Sequence, residues 1–163
     1  MARALIVGCG CRGRELGRRL RAAGWRVRGT TRDPANREEI LAAGVEPVIA
    51  DPDRAVTVLD HVGDVTLVLW LLGSAQGEPE ALAAIHGPCL ERLLERLVDT
   101  PVRGFVYEGA GRVPREQLEG GAAIVRAAAK RWRIPVEVVA ADPADPEAWI
   151  EAMLAASHRL VGV

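Results

Sequence analysis

The chain has 163 residues, of which 49% are hydrophobic and 26% are charged, and its net charge at pH 7 is −1. This length and composition are typical of one globular domain with a sizeable core, so residues 1–163 are predicted to form a single domain. The near-neutral charge argues against a nucleic-acid partner or an anionic membrane surface. No apolar run approaches the roughly 20 residues that span a bilayer. Because the start of the chain shows no signal-peptide pattern, we expect a cytoplasmic location.

Apolar, β-rich segments alternate with segments of helical periodicity along the whole chain. Strands are predicted at residues 4–7, 26–31, 46–50, 65–70, 104–107 and 136–139. Helices are predicted at residues 12–23, 34–42, 79–98, 117–132 and 146–157, with a short crossover near 53–59. This alternation predicts an α/β fold, in which a doubly wound, parallel, six-stranded Rossmann sheet of order 3-2-1-4-5-6 carries helices on both faces.

A glycine-rich turn connects the first predicted strand to the first predicted helix and reads G-x-G-x-x-G. In a dinucleotide-binding fold, Gly8 would allow the tight turn, Gly10 would let the backbone approach a pyrophosphate, and Gly13 would let the helix pack closely on the strand. The N-terminus of the helix would offer unpaired N–H groups to the phosphates. The predicted phosphate contacts are Gly8, Cys9, Gly10, Cys11, Arg12 and Gly13.

The end of the second strand predicts which dinucleotide is bound. An acidic residue there binds the 2′-hydroxyl of NAD, whereas an arginine accommodates the 2′-phosphate of NADP. The strand ends on Thr30, Thr31 and Arg32, which favours NADP over NAD. Binding of NAD remains an alternative, because a small shift in register would bring the carboxylate of Asp33 to the ribose.

Five segments resemble the extended and atypical short-chain dehydrogenases/reductases, the NAD(P)-dependent epimerase-like proteins. They are residues 7–13, 29–34, 43–51, 85–94 and 102–107. The resemblance implies NAD(P) binding across the carboxyl edge of the sheet. It also implies that Asp51 contacts the adenine amino group, with a turn cap before the following proline as the alternative. The residues implied to line the adenine and ribose side are Trp70, Leu71 and Leu72.

The usual catalytic residues of that family are absent from the sequence. Its chemistry needs a tyrosine with a lysine four residues later, and a serine after the fifth strand. Tyr107 is the only tyrosine and Lys130 the only lysine, while Gly109 and Ala110 stand where the serine would be. Because the sequence ends shortly after the sixth strand, most of the family's substrate-binding portion is also expected to be missing. Tyr107 is therefore expected to pack in the core.

These sequence features are compatible with two functions. The favoured one is a module that binds NADP(H) and reports the redox state of the pyridine nucleotides to a partner. The alternative is an oxidoreductase that transfers hydride between NADP(H) and a small carbonyl substrate, with a pocket completed by a second copy in a homodimer. His86 and Glu108 are then the candidates for proton delivery; otherwise His86 is a satisfied or surface histidine and Glu108 a solvated or capping residue.

A third interpretation and a metal site are both disfavoured. NAD- or FAD-binding regulatory domains of the kind attached to potassium channels end the second strand with an acid, which this chain lacks. Cys9, Cys11, His86 and Cys89 could formally hold zinc. Their spacing is unlike that of zinc fingers and the ion would compete with the pyrophosphate for the loop, so no metal is predicted.

Overall fold

A computed structural model describes residues 2–162. Six strands form one sheet, and every neighbouring pair is parallel, in the order β3-β2-β1-β4-β5-β6. The strands are β1 (Arg3–Val7), β2 (Arg26–Thr31), β3 (Glu46–Ile49), β4 (Leu67–Trp70), β5 (Gly104–Glu108) and β6 (Val136–Val139). The predicted fold class and strand order are confirmed.

Helices cover both faces of this sheet, and none among residues 2–162 has the length and apolar character needed to cross a membrane. They are α1 (Cys11–Ala22), α2 (Arg37–Ala42), α3 (Ala55–Leu59), α4 (Pro79–Ile85), α5 (Pro88–Leu97), α6 (Arg115–Trp132) and α7 (Pro146–Val161). A single 3-10 turn, Pro34–Asn36, precedes α2.

The three central strands, β1, β4 and β5, are buried almost throughout because helices cover both of their faces. Alternate residues face opposite helical layers, as the two-residue period of a strand requires. Leu5 and Val7 pack with α3, α5 and α6, whereas Ala4 and Ile6 pack with α1, α2 and α7. The outer strands β3 and β6 are only partly buried.

The single helix predicted at residues 79–98 is wrong, because the segment forms α4 and α5 with a break between them. Gly87 lies outside the helical region, with φ −139° and ψ −113°. Pro88 has no N–H to continue the hydrogen-bond ladder and disfavours helical backbone at the residue before it. The amphipathic pattern continues across the break, which is why periodicity alone predicts one helix.

Register brings the carboxyl ends of the central strands to one edge of the sheet. Val7 of β1 pairs with Trp70 of β4, and Trp70 pairs with Tyr107 of β5. The strand order reverses between β1 and β4, and ligands of open α/β sheets bind in the crevice at such a switch point. The loops that follow β1, β2, β4 and β5 therefore surround the candidate site.

Candidate functional site at the carboxyl edge of the sheet

Two of the three glycines in the loop after β1 are required by the fold itself. Gly8 has φ +91°, and a Cβ there would lie 2.5 Å from the carbonyl oxygen of Leu71. The Gly8 N–H donates to Oγ1 of Thr30 at 3.3 Å, which fixes the turn to the end of β2. Gly13 is buried, and a Cβ there would lie 3.1 Å from the carbonyl oxygen of Gly8. A side chain at Gly8 would displace backbone, whereas one at Gly13 would require the Gly8 carbonyl to shift by a few tenths of an ångström.

The third glycine, Gly10, is not required by the fold. Its φ of −84° suits any residue, and no atom lies within 4 Å of the position its Cβ would take. Gly10 precedes α1 as its N-cap and lines two cavities, one on each side of the loop. The loop therefore leaves open space at the point where a pyrophosphate would approach the backbone, so the residues present fit a dinucleotide.

The first cavity, which we call the Arg32 cavity, has a volume of about 200 Å³ and lies at the end of β2. Thr30 is buried beneath it, and Thr31 accepts hydrogen bonds at its hydroxyl from Asp33 N and Asn36 Nδ2. Arg32 is exposed and forms no ion pair within residues 2–162. The residues that line the Arg32 cavity include Thr30, Thr31, Arg32, Asn36, Asp53, Leu72, Ala75 and Gln76.

Asp33 does not line the Arg32 cavity. Its Oδ1 accepts from Ala35 N at 2.9 Å, so the carboxylate caps the 3-10 turn that follows β2. The NAD-like alternative, in which Asp33 meets the ribose, therefore has no support from its position. Arg32 is the charged residue that lines the cavity at the end of β2.

The loop after β3 holds two aspartates with different roles. Oδ1 of Asp51 accepts from Asp53 N at 3.0 Å, which is the turn-capping alternative, and Asp51 does not line the cavity. Asp53 does line it, and its Oδ1 is buried without a hydrogen-bond partner among the described residues. Sequence reasoning missed Asp53. The Asp-Pro-Asp spacing was its only signal, since one carboxylate of such a turn caps the other residue's N–H.

The second cavity, the Glu108 cavity, has a volume of about 270 Å³ and lies on the other side of Gly10. Glu108 is 1% exposed at the end of β5. Its Oε1 accepts from Gly73 N and its Oε2 from Nε1 of Trp149, each at 2.8 Å. Burial raises the pKa of the Glu108 carboxyl, and these two donors and the nearby Arg12 oppose that rise. Glu108 thus connects β5 to the loop after β4 and to α7.

Arg12 stands in the first turn of α1, between the glycine loop and α7. Its guanidinium lies over the Trp149 ring, 5.7 Å from the ring centroid. Its Nε is buried and has no hydrogen-bond partner within residues 2–162. Trp149 is 1% exposed, so it packs inside the protein rather than at a subunit interface.

His86 and Tyr107 form a buried pair below the site. The imidazole Nε2–H donates to the carbonyl oxygen of Leu72 at 2.9 Å, and the Tyr107 hydroxyl donates to Nδ1 at 2.6 Å. Burial lowers the pKa of His86 and raises that of Tyr107. Gly121 of α6 makes room for the hydroxyl, since a Cβ there would lie 2.0 Å from it. Both ring nitrogens of His86 are therefore occupied, and neither residue lines a cavity.

The residues predicted after β4 divide between core and site. Trp70 is fully buried and donates from Nε1 to the carbonyl oxygen of Ile85 at 3.1 Å. Leu71 lines the Glu108 cavity, and Leu72 lines both cavities. Leu71 and Leu72, both predicted from the sequence as site residues, thus border the crevice, whereas the Trp70 side chain packs in the core.

The cysteines of the glycine loop lie in different environments. Cys9 is buried with its Sγ toward Gly29 of β2, and burial raises its pKa to about 12. Cys11 is exposed. Within the described part of the chain, no three His, Cys, Asp or Glu residues lie together as a metal site needs. Cys9 is therefore a core residue rather than a reactive thiol.

Comparison with protein-family models finds no match, and neither does comparison with curated proteins. Many solved structures are similar. A short-chain dehydrogenase/reductase superfamily protein from Agrobacterium tumefaciens with bound NAD has a TM-score of 0.66 and 21% identity, covering 83% of this chain and 48% of that chain. UDP-glucuronic acid 4-epimerase from Bacillus cereus, in complex with NAD and a UDP-fluoro-glucuronic acid, has a TM-score of 0.62 and 15% identity, covering 83% and 55%.

A third structure, BdcA from E. coli, has a TM-score of 0.72 and 18% identity, covering 94% of this chain and 88% of that chain. The chain thus spans about half the length of the dehydrogenase and epimerase structures, but most of the length of BdcA. At these identities the similarity is one of fold. The chain has the Rossmann fold of the short-chain dehydrogenase/reductase and epimerase structures.

Proposed function

We propose that the protein binds a pyridine dinucleotide along the carboxyl edge of its sheet. The adenosine would occupy the Arg32 cavity, the pyrophosphate would lie over Gly10, and the nicotinamide would enter the Glu108 cavity. The observation that carries the proposal is Gly10, where the fold has no need of glycine and the backbone borders both cavities. The similar Agrobacterium and Bacillus structures contain NAD, which supports this class of ligand.

We further propose that NADP(H) is preferred over NAD(H). Arg32 is exposed on the rim of the adenosine end and has no ion-pair partner within residues 2–162. A guanidinium binds a phosphate through paired, charge-assisted hydrogen bonds. Oδ1 of the neighbouring Asp33 accepts from Ala35 N and Asp33 does not line the cavity, which supports Arg32 rather than Asp33 as the residue at the ribose.

The adenine amino group needs a hydrogen-bond acceptor, and Asp53 supplies one. Its Oδ1 is buried, lacks a partner among residues 2–162 and belongs to a residue that lines the Arg32 cavity. A buried polar atom without a partner costs free energy, and a ligand donor would relieve that cost. We therefore assign to Asp53 the contact with the adenine amino group that the family resemblance implies for Asp51. The adenine would still lie beside the loop of residues 51–53.

A binding or redox-sensing module is the function favoured here. A bound pyridine nucleotide supplies a hydride, but proton transfer to a substrate needs an available acid or base. His86 is closed off by Tyr107 and Leu72, and both carboxylate oxygens of Glu108 accept internal hydrogen bonds. One observation favours the oxidoreductase alternative: Glu108 borders the cavity proposed for the nicotinamide, and burial raises its pKa.

Titration calorimetry with NADPH, NADP⁺, NADH and NAD⁺ tests the proposal. We expect micromolar binding and a preference of about tenfold or more for the phosphorylated pair, corresponding to about 1.4 kcal/mol. Arg32→Glu should abolish the preference by repelling the 2′-phosphate, with NADH binding nearly unchanged. Arg37→Glu, an exposed charge reversal on the next helix that does not line the cavity, is the matched control.

The outcomes separate the parts of the proposal. If none of the four nucleotides binds, the dinucleotide function is wrong. If all bind and Arg32→Glu leaves the preference intact, only the role of Arg32 is wrong. Reduction of a small carbonyl compound by NADPH, measured by the loss of nicotinamide absorbance, would favour the oxidoreductase function over the binding module.

A further inference from the structure

A third cavity, the Arg112 cavity, adjoins the Glu108 cavity and has a volume of about 420 Å³. The loops after β4, β5 and β6 form it. Arg12 and Ser74 line both cavities and so mark the boundary between them. The Arg112 cavity therefore lies beyond the proposed nicotinamide position, away from the Arg32 cavity.

The loop that carries Arg112 is fixed to the loop after β4. Arg112 N donates to Oγ of Ser74 at 3.2 Å, and Val113 N donates to the carbonyl oxygen of Gly73 at 3.0 Å. Gly111 has φ +155°, and a Cβ there would lie 2.1 Å from that same Gly73 oxygen. The two loops pack so closely that the backbone below the Arg112 side chain is held in place.

The charges around this cavity favour an anion. Neither Arg12 nor Arg112 forms an ion pair in the described part of the chain, and the buried Nε of Arg12 has no hydrogen-bond partner there. The one carboxylate in the lining, Asp142, accepts from Ala144 N at 2.9 Å and so caps its own loop. Two arginines and one aspartate thus line this cavity, and Arg12 also lies near the Glu108 carboxyl.

We propose that the Arg112 cavity binds the carboxylate or phosphate group of a small organic molecule beside the nicotinamide. Guanidinium groups are the side chains best suited to both anions. Arg12 also lines the Glu108 cavity, whereas Arg112 lines neither the Glu108 cavity nor the Arg32 cavity. Arg112 is therefore the residue whose removal should affect anion binding without affecting the dinucleotide. The position beside the nicotinamide rests on the proposed function, whereas the anion site itself depends only on the cavity and its arginines.

Calorimetric titration with inorganic phosphate and, separately, malonate tests the site, first on the free protein and then on protein saturated with NADP⁺. We expect at least one anion to bind saturably in both states, and the responding anion identifies the class. Arg112→Ala should weaken that binding about tenfold or more and leave NADP⁺ affinity unchanged. Arg115→Ala is the matched control, because its side chain is 90% exposed nearby and does not line the cavity.

Three results would overturn the inference: neither anion binds, Arg112→Ala binds as the wild type does, or NADP⁺ displaces the anion. Displacement would place the anion in the glycine loop instead. Binding that depends on Arg112 in a protein that fails to bind any pyridine nucleotide would support the anion site and contradict the proposed function. The two claims therefore fail independently.

Discussion

The two ends of the crevice use their polar residues in opposite ways. At the Arg32 end, an exposed guanidinium and a buried carboxylate oxygen of Asp53 lack partners within residues 2–162. At the end of β5, Glu108, His86 and Tyr107 are all buried and are hydrogen-bonded to other parts of the protein. Both groups of residues lie at the carboxyl edge of one sheet.

This difference shows that position in the fold is not enough to assign a role. A residue at the carboxyl end of a strand stands where catalytic groups of α/β proteins project. A buried polar group that already has partners stabilises the protein, whereas one without a partner that borders a cavity is available to a ligand or a water molecule. By this criterion the Arg32 end and the unpartnered Nε of Arg12 are available to a ligand, whereas Glu108, His86 and Tyr107 hold the loops together.

The largest expected effect follows removal of the Glu108 carboxylate. Glu108→Ala leaves Gly73 N–H and the Trp149 indole N–H buried without acceptors. Each unsatisfied donor costs about 1–3 kcal/mol, so the free energy of unfolding should fall by about 2–6 kcal/mol in urea denaturation. Glu119→Ala, an exposed glutamate of α6, should change it by less than about 0.5 kcal/mol.

Glu108→Ala also shows whether the comparison between the two ends holds. We expect the variant to retain NADPH affinity close to that of the wild type, because the carboxylate serves the loops. If the variant unfolds at the same urea concentration as the wild type but no longer binds NADPH, Glu108 contacts the ligand rather than stabilising the loops.

A smaller effect is expected from the pH dependence of the His86 contacts. Because burial lowers the folded-state pKa of His86, the unfolded chain, with a pKa of about 6.5, takes up the proton first as pH falls. The stability that neutral His86 contributes is thus complete above about pH 6.5 and declines below it, by at most about 1.4 kcal/mol per pH unit. His86→Gln should be less stable than wild type at about pH 7.5, and its deficit should shrink toward about pH 5.5.

Tyr107→Phe provides the control for this pH dependence. It removes the hydroxyl that donates to Nδ1 but keeps the buried imidazole, so its stability should still decline below about pH 6.5. Chemical denaturation at several pH values measures all three proteins. A His86→Gln deficit that is the same at every pH would show that His86 does not titrate differently in the folded and unfolded chains.

Sequence reasoning predicted the sheet well because the signals for it are local. The apolar segments of β1, β4 and β5 and the glycines that follow β1 can be recognised within a few residues. Strand β2 and strand β6 have the predicted bounds. The break between α4 and α5 was missed because the apolar period continues through Gly87 and Pro88.

The hydrogen bonds inside the site could not be predicted, because they join residues that are distant in sequence. Glu108 and Trp149 are 41 residues apart, and His86 and Tyr107 are 21 residues apart. Which pairs meet depends on how the helices pack onto the sheet rather than on a local pattern. The resemblance pointed to the loop after β3, but only the three-dimensional arrangement distinguishes the capping Asp51 from the unpartnered Asp53.

The most direct test of the central claim is to measure NADPH affinity and stability together in Gly10→Ala. The fold has room for the added methyl group, but Gly10 is the N-cap of α1, where alanine is less favourable than glycine, so the free energy of unfolding should fall by no more than about 1 kcal/mol. The methyl group should nevertheless keep the pyrophosphate from the backbone and weaken NADPH binding about tenfold or more. Gly10→Ala that binds NADPH as tightly as wild type would contradict the claim that this glycine serves the ligand.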